Sequence, residues 1–313
     1  MESNYHNPVL LNEVLAGLDI KENSICVDMT LGRGGHSSEM LKICKKGHLY
    51  AVDKDLTALD YSKNRLSAIG NNFSLFQGDY SSFPDVLKEN GVVRADAILY
   101  DIGVSSPQFD NPERGFSYRF DAPLDMRMNM EQKKDAYFVV NTYTFEELRR
   151  IISEYGEDKN ASRIAKSIVE RRVKRPISST FDLVDVIKSC LPSFVLNKQG
   201  HPAKQTFQAI RYEVNNEKEE LVNGLRKGIE MLSVNGRLAI ITFNSAEDKA
   251  VKDMFKEYTS IPSQNRHLPP VLGQNKPKYI LVNRKPISPS DEEIEDNPRC
   301  KPSKLRIIER ISE

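Results

Sequence analysis

The chain has 313 residues, 39% apolar and 28% charged, with a formal net charge of +1. That composition excludes a disordered or fibrous chain, and near-neutrality leaves any nucleic-acid contact to local clusters of charge. No apolar run approaches the ~18 residues that a membrane span needs, and the opening MESNYHNPVL lacks the basic and apolar regions of a secretory signal.

Taken along the chain, Ser24–Thr30 reads as a strand, Ser37–Cys44 as a short helix and His48–Asp53 as a second strand. Leu56–Ala68 has helical spacing, Asn72–Asp79 reads as a third strand, Phe83–Asn90 as a helix and Ala95–Asp101 as a fourth strand. Buried-looking strands alternating with helices predict a parallel sheet built from right-handed βαβ units. The alternation stops at Ser105. SSPQFDNPERGFSYRFDAPLDMRMN reads as a long structured loop, and Thr144–Glu154, Lys159–Val173 and Phe181–Cys190 as helices. Then Phe207–Leu232 reads as one helix, Gly236–Phe243 as a strand, Ala246–Tyr258 as a helix, and Tyr279–Lys285 and Lys304–Ile311 as strands. SPSDEEIEDNP reads as a charged, mobile segment. The expected organisation is an α/β sheet domain in two parts, 1–106 and 204–313, interrupted by an all-helical insertion, 107–203.

The first chemical signal is VDMTLGRGGHSSEM. A strand ends in Asp28, and Gly32, Gly34 and Gly35 follow before a helix. Glycines let a backbone approach a ligand closely. In open α/β sheets ligands bind beyond the carboxyl ends of the strands. A dinucleotide turn would have glycine where Ser37 stands. Asp53, ending the second strand, can accept both hydroxyls of a ribose. Asp28 would repel a pyrophosphate and attract a methionyl ammonium, so the sign of charge favours S-adenosylmethionine over a nicotinamide cofactor. Asp101 ends the fourth strand at the same edge. The four cysteines, Cys26, Cys44, Cys190 and Cys300, form no CxxC; this argues against zinc and disulfides, fits a reducing cytoplasm, and leaves no metal expected.

With these residues in view, the chain resembles the bacterial 16S rRNA cytosine-N4 methyltransferase family (the RsmH or MraW type). The resemblance rests on HNPVLLNEVL, VDMTLGRGGHS, AVDKD, DIGVSSPQFD, ERGFSY, PLDMRM, YGEDKNASRIA, HPAKQTFQAIRYEVNNE and NPRCKPSKLR, collinear from His6 to about Arg310. It implies a class I S-adenosylmethionine-dependent methyltransferase fold with a helical insertion, and methyl transfer to N4 of a decoding-centre cytidine in the small ribosomal subunit. Carried over by position, the family's cofactor contacts fall on Gly34, Gly35, His36, Asp53, Tyr80 (usually Phe), Asp101 and Gln108. After the fifth strand the family usually reads F-H-S-L-E-D-R; here it is FNSAEDK, with Asn244, Ala246 and Lys249. The segment between Tyr258 and Tyr279 is short against the family. These departures keep a second reading open, a ribosome-assembly or RNA-binding factor that retains the cofactor fold without turnover.

An exocyclic cytosine amine is a poor nucleophile, so the reaction needs alignment and acceptors for the amine protons. Asp101, Ser105 and Ser106 are the candidate catalytic residues. Phe116, Tyr118 and Phe120, beside Arg114 and Arg119, offer stacking surfaces for a flipped base, or else pack the insertion. Lys159–Arg175 carries seven Lys or Arg against one Glu. There Ile164 and Ile168 face a core while Arg163, Lys166, Arg171, Arg172 and Lys174 spread outward, as a phosphate-binding face or a merely solvated one. Gln208, Arg211 and Asn215 either line a substrate cleft or brace the insertion. The oligomeric state is open, a homodimer included.

Overall fold

The structure, a computed structural model, describes residues 8–260 and 277–313. The chain opens with α1 (Leu11–Leu18), then alternates β1 (Ile25–Asp28), α2 (Gly35–Ile43), β2 (His48–Asp53), α3 (Leu56–Ser67), β3 (Phe73–Gln77), α4 (Phe83–Glu89) and β4 (Ala95–Asp101). A helical stretch follows: α5 (Ser106–Asp110), α6 (Ala136–Thr142), α7 (Phe145–Glu154), α8 (Ala161–Lys174), α9 (Thr180–Cys190), α10 (Ser193–Leu196) and α11 (Lys204–Asn215). The last part holds α12 (Glu217–Met231), β5 (Leu232–Thr242), α13 (Ser245–Thr259), β6 (Tyr279–Leu281), α14 (Asp291–Asp296) and β7 (Lys304–Arg310). Two compact units result, Met1–Gly103 with Glu219–Glu313, and Val104–Lys218.

The first unit is a seven-stranded sheet in the order β3-β2-β1-β4-β5-β7-β6. Strands β1 to β5 run parallel, and β7 is antiparallel to both neighbours. Strand alternation divides its core. Val27, Ile98, Tyr100, Leu238 and Ile240 pack on one face, and Cys26, Ala97, Leu99, Ala239 and Ile241 on the other. The strand order reverses between β1 and β4, which opens a crevice at their carboxyl ends. Register brings three acids to that edge. Asp28 pairs with Ala51 and with Leu99, each two residues short of the terminal Asp53 and Asp101.

The second unit is helical. Ile151 and Ile152 of α7, Ile164 and Ile168 of α8, Leu183 and Ile187 of α9, and Phe207, Ile210 and Val214 of α11 share one core. Because α11 buries its apolar stripe there, the helical unit runs to Lys218 rather than ending at 203. The expected single helix Phe207–Leu232 is two. Asn216 adopts a left-handed conformation (φ 56°), which asparagine tolerates better than most residues, and closes α11 before α12 starts. Strand β5 begins earlier than expected, at Leu232, with a register shift opposite Ala95 and Ala97 that absorbs the Asn235–Gly236 turn chemistry. The last strands also differ: β6 stops at Leu281, and beyond it the Asn283 side chain bridges to β7, donating to the Leu305 carbonyl at 3.0 Å and accepting the Ile307 amide at 2.8 Å. The acidic segment is not mobile chain but the helix α14, N-capped by Ser290.

Candidate active site at the carboxyl edge of the sheet

Three carboxylates end β1, β2 and β4, and hydrogen bonds with backbone amides or hydroxyls tie down each strand end. Asp28 is buried; its Oδ1 accepts the Thr30 amide at 3.0 Å and its Oδ2 the Ser37 hydroxyl at 2.6 Å. The serine that breaks the dinucleotide pattern is therefore the residue that holds Asp28. Asp53 Oδ2 accepts the Gly32 amide at 2.8 Å and Oδ1 the Asp55 amide at 2.9 Å, so it shapes the glycine turn from the neighbouring strand. The Thr30 hydroxyl accepts the Asp101 amide at 2.6 Å and ties β4 to the same turn. Gly32 and Gly34 have φ of 51° and 67°, which a side chain would strain, and a Cβ on Gly34 would press on Ser62 at 3.1 Å.

Burial raises the pKa of all three acids. Asp53 is pushed up to about 6, chiefly by burial, with Asp55 and Asp28 adding to it. Asp101 is pushed up to about 7 by burial and then by Asp28. Asp28 is raised by burial against the bonds from Ser37 and Thr30. His36, at the start of α2, is buried and held down to about 4. Its Nε2 lies 3.0 Å from the Val9 carbonyl, and its Nδ1 lies 3.6 Å from Asp101 Oδ2. The Val9 carbonyl can only accept, so the neutral ring carries its proton on Nε2.

Tyr80 follows β3. The Gly78 amide bonds the Asp53 carbonyl at 3.0 Å, which brings this segment to the end of β2. The ring meets Tyr100 edge-on at 5.7 Å, and Lys54 Nζ is 5.9 Å from its centre. It lies against α12, where a Cβ on Gly224 would come to 2.6 Å from it. This donor set fits S-adenosylmethionine. Clustered acids that suppress one another's ionisation favour a cationic ligand, the acid on β2 suits a ribose diol, and an aromatic face suits adenine. A pyrophosphate fits none of them.

Ser105, Ser106 and Gln108 belong to the helical unit. Ser105 and Gln108 form a reciprocal capping box at the start of α5, with Gln108 Oε1 accepting the Ser105 amide at 3.1 Å. Ser106 opens α5, and its side chain lies outside the described part of the structure, as do His6 and the segment 261–276.

The residues expected to meet RNA separate into two kinds. Phe116 is buried in the helical core, so it packs the insertion. Tyr118 is stacked on His201 (4.3 Å, 6°) and meets Phe207 edge-on. With Arg119, Phe181, Val184, Asp185 and Lys188, Tyr118 and His201 line a groove of about 370 Å³. Phe120 is 48% exposed. Arg114 Nη2 donates to the Arg127 and Met128 carbonyls and braces the loop. On α8, Ile164 and Ile168 are buried as expected. Arg172, however, turns inward and donates to the Val140 and Tyr143 carbonyls at 2.8 and 2.5 Å, because the end of α6 needs donors. Arg171 and Arg175 both face Asp182. Gln208, Arg211 and Asn215 brace the unit: Gln208 bonds the Tyr155 carbonyl, Arg211 forks onto Glu217, and Asn215 bonds Met126 and Met128.

The departures after β5 keep their structural work. Asn244 N-caps α13 by accepting the Glu247 amide at 3.0 Å, and Glu247 returns to the Phe243 amide. Asp248 takes a two-pronged bond from Arg306. Sequence reasoning did not assign Thr30 a role at Asp101, nor see that Val9 would hold His36. The hydroxyl two residues beyond Asp28 was the available signal for the first. For the second there was none.

Comparison with known proteins agrees with this geometry. The profile of the MraW methylase family matches residues 3–311. The chain is 45% identical over 308 residues to the ribosomal RNA small subunit methyltransferase H of Limosilactobacillus fermentum, covering 98% of each chain. It is 47% identical over 310 residues to the protein of the same name from Fusobacterium nucleatum, covering 99% of this chain and 98% of that one. The Mesoplasma florum protein of that name is 47% identical over 308 residues, covering 97% and 99%. The sheet unit with its inserted helical unit is thus a class I methyltransferase fold, and the chain belongs to the MraW methylase family.

Proposed function

We propose that this chain transfers a methyl group from S-adenosylmethionine to the exocyclic N4 of a cytidine in small-subunit ribosomal RNA, the decoding-centre cytidine that the resemblance implies, by direct displacement. The acidic edge of the sheet carries the reading, since Asp28, Asp53 and Asp101 converge where a cationic nucleoside would sit. When bound, S-adenosylmethionine supplies a methyl group already activated on a sulfonium. Gly34 and Gly35 give it a close backbone approach, Asp53 takes the ribose, Tyr80 faces the adenine, and His36, Asp101 and Gln108 complete the contacts.

Asp101 is the proposed acceptor for the proton that the amine loses. With a pKa near 7 it can take that proton and release it again near neutrality. Ser105 and Ser106 are the proposed partners of the target amine. The groove of Tyr118, Arg119, Phe181, Lys188 and His201 supports RNA as the substrate, because aromatic faces beside cations suit an unstacked nucleotide. The proposed setting is the cytoplasm, with 16S rRNA in the small subunit as the partner. Among the described residues no helix is long and apolar enough to cross a membrane.

The test is transfer of labelled methyl from S-adenosylmethionine to unmethylated small subunits, with mass spectrometry of the digested RNA. N4-methylcytidine is expected. Cofactor binding without label transfer to any small-subunit substrate would leave the non-enzymatic assembly factor as the better reading.

A further inference from the structure

We propose that Glu293, on a helix far along the chain from the glycine turn, is a positioning residue for the cofactor site: it holds a strap, Pro8–Leu10, that fixes the His36 ring. The proposal rests on the reading of the acidic edge as the S-adenosylmethionine site.

The local sequence makes the arrangement unusual. Ser290 and Glu293 have the S-x-x-E spacing of a capping box, and Ser290 Oγ duly accepts the Glu293 amide at 3.2 Å. In such a box the glutamate carboxylate turns back to the cap residue. Here Glu293 Oε1 instead accepts the backbone amide of Leu10 at 2.7 Å. Leu10 is fully buried and left-handed (φ 53°), a conformation that leucine rarely adopts, so its amide has no water to fall back on. Glu293 itself is steadied by the buried Cys300, whose thiol lies 3.6 Å from the Glu293 carbonyl.

Each residue of the strap then touches something different. Leu10 is held by Glu293. Val9 presents its carbonyl to His36 Nε2 at 3.0 Å. Pro8 lies so close over Gly35 that a Cβ there would come to 2.6 Å from the proline Cγ. The far side of the His36 ring faces Asp101 at 3.6 Å. A continuous line of contacts therefore runs from the Glu293 carboxylate through the strap to the candidate proton acceptor. Without the Glu293 acceptor the Leu10 amide is orphaned, the strap loses its anchor, and the His36 ring loses the bond that sets its tautomer and tilt.

Two variants separate this from a purely structural role. Glu293→Asp keeps the charge but withdraws the carboxylate by a methylene; Glu293→Gln keeps an oxygen within reach of Leu10. Glu293→Asp is expected to weaken S-adenosylmethionine binding roughly five- to fiftyfold by calorimetry, the loss of one charge-assisted bond. Glu293→Gln should stay within about threefold of the native protein, since most of that bond survives. The slowly exchanging imidazole N–H resonance of His36 should persist in Glu293→Gln and broaden in Glu293→Asp. Folded Glu293→Asp protein with native affinity and a native His36 resonance would overturn the proposal. Where Glu293→Asp does not fold, Glu293→Gln decides: affinity and His36 resonance both near native uphold the proposal, and a change in one without the other overturns it. A native protein that binds no S-adenosylmethionine would instead sink the cofactor reading beneath it.

Discussion

His36 turns a bare Nδ1 toward Asp101 Oδ2, 3.6 Å away, because its other ring nitrogen is committed to the Val9 carbonyl. A lone pair facing a carboxyl group favours the proton on the carboxyl. Burial, then Asp28, raises Asp101 to about 7, and burial holds His36 down to about 4, so of the two groups the carboxyl is the one that holds a proton near neutrality.

A pH dependence with two opposite signs follows. Asp101 and Asp53 bind protons more tightly folded (about 7 and about 6) than unfolded (3.8). Their contribution to the stability of the free protein is therefore full below pH 3.8 and is lost as pH rises through 6 and 7. A cationic ligand prefers the ionised acids, so S-adenosylmethionine affinity should rise with pH over the same window, by up to about tenfold per pH unit for each acid, and level off above 7. Asp101→Asn should flatten the upper part of both profiles. Denaturant melts and calorimetry from pH 5.5 to 8 read both; an affinity that falls with rising pH would contradict the charge assignment.

Asp53→Ala removes the proposed ribose acceptor and orphans the amides of Gly32 and Asp55. We expect S-adenosylmethionine affinity to drop by about 1.5–3 kcal/mol, roughly ten- to over a hundredfold. Unchanged affinity in a folded mutant would remove Asp53 from the site.

The basic helix divides into structural and available charges. Arg172→Glu should cost about 2 kcal/mol of stability, because the end of α6 loses two charged donors. The exposed Lys159, Lys166 and Lys174 should behave differently. Reversing all three to Glu should leave the melting temperature within a few degrees while weakening RNA binding and lowering its salt dependence. RNA affinity unchanged at low salt would mean that this face is only solvated.

Methylation at C5 of cytosine would need a cysteine thiolate to add to the ring first. Cys26, Cys44 and Cys300 are buried, and the Cys26 thiol is driven up by its Cys44 neighbour and by burial. Cys190 turns its thiol to the Ile187 carbonyl within the helical unit. Replacing all four by alanine should leave methyl transfer within about an order of magnitude, the loss reflecting core packing rather than chemistry. A protein–RNA adduct trapped with a 5-fluorocytosine substrate would contradict direct displacement.

The strands with continuous apolar runs ending in an acid could be read from sequence because nothing else in the chain has that shape; β2 and β4 fall where expected, at His48–Asp53 and Ala95–Asp101. The carboxylate edge followed from them. What could not be read depended on distant partners. Arg172 looks like any outward base until α6 presents its carbonyls. Phe116 and Tyr118 are two residues apart in one motif, yet one is core and the other lines a groove. Asn216 offers only a weak local signal that a helix ends there, and Glu293 looks like a routine cap until Leu10 arrives from the other end of the chain.

The sheet is assembled from both ends of the polypeptide, and this orders its birth on the ribosome. Strands β1 to β4 emerge first, but the open flank of β4 has no partner until Leu232–Thr242 is made, and β7 comes last. The helical unit, Val104–Lys218, is continuous in sequence and complete before β5 begins at Leu232 and long before β7. It can fold while the nascent sheet still waits with an exposed, pairing-competent strand. A chain stalled or cleaved before Leu232 should therefore keep its helical half and aggregate through β4, which makes the late arrival of the last strands the step at which a chaperone has most to do.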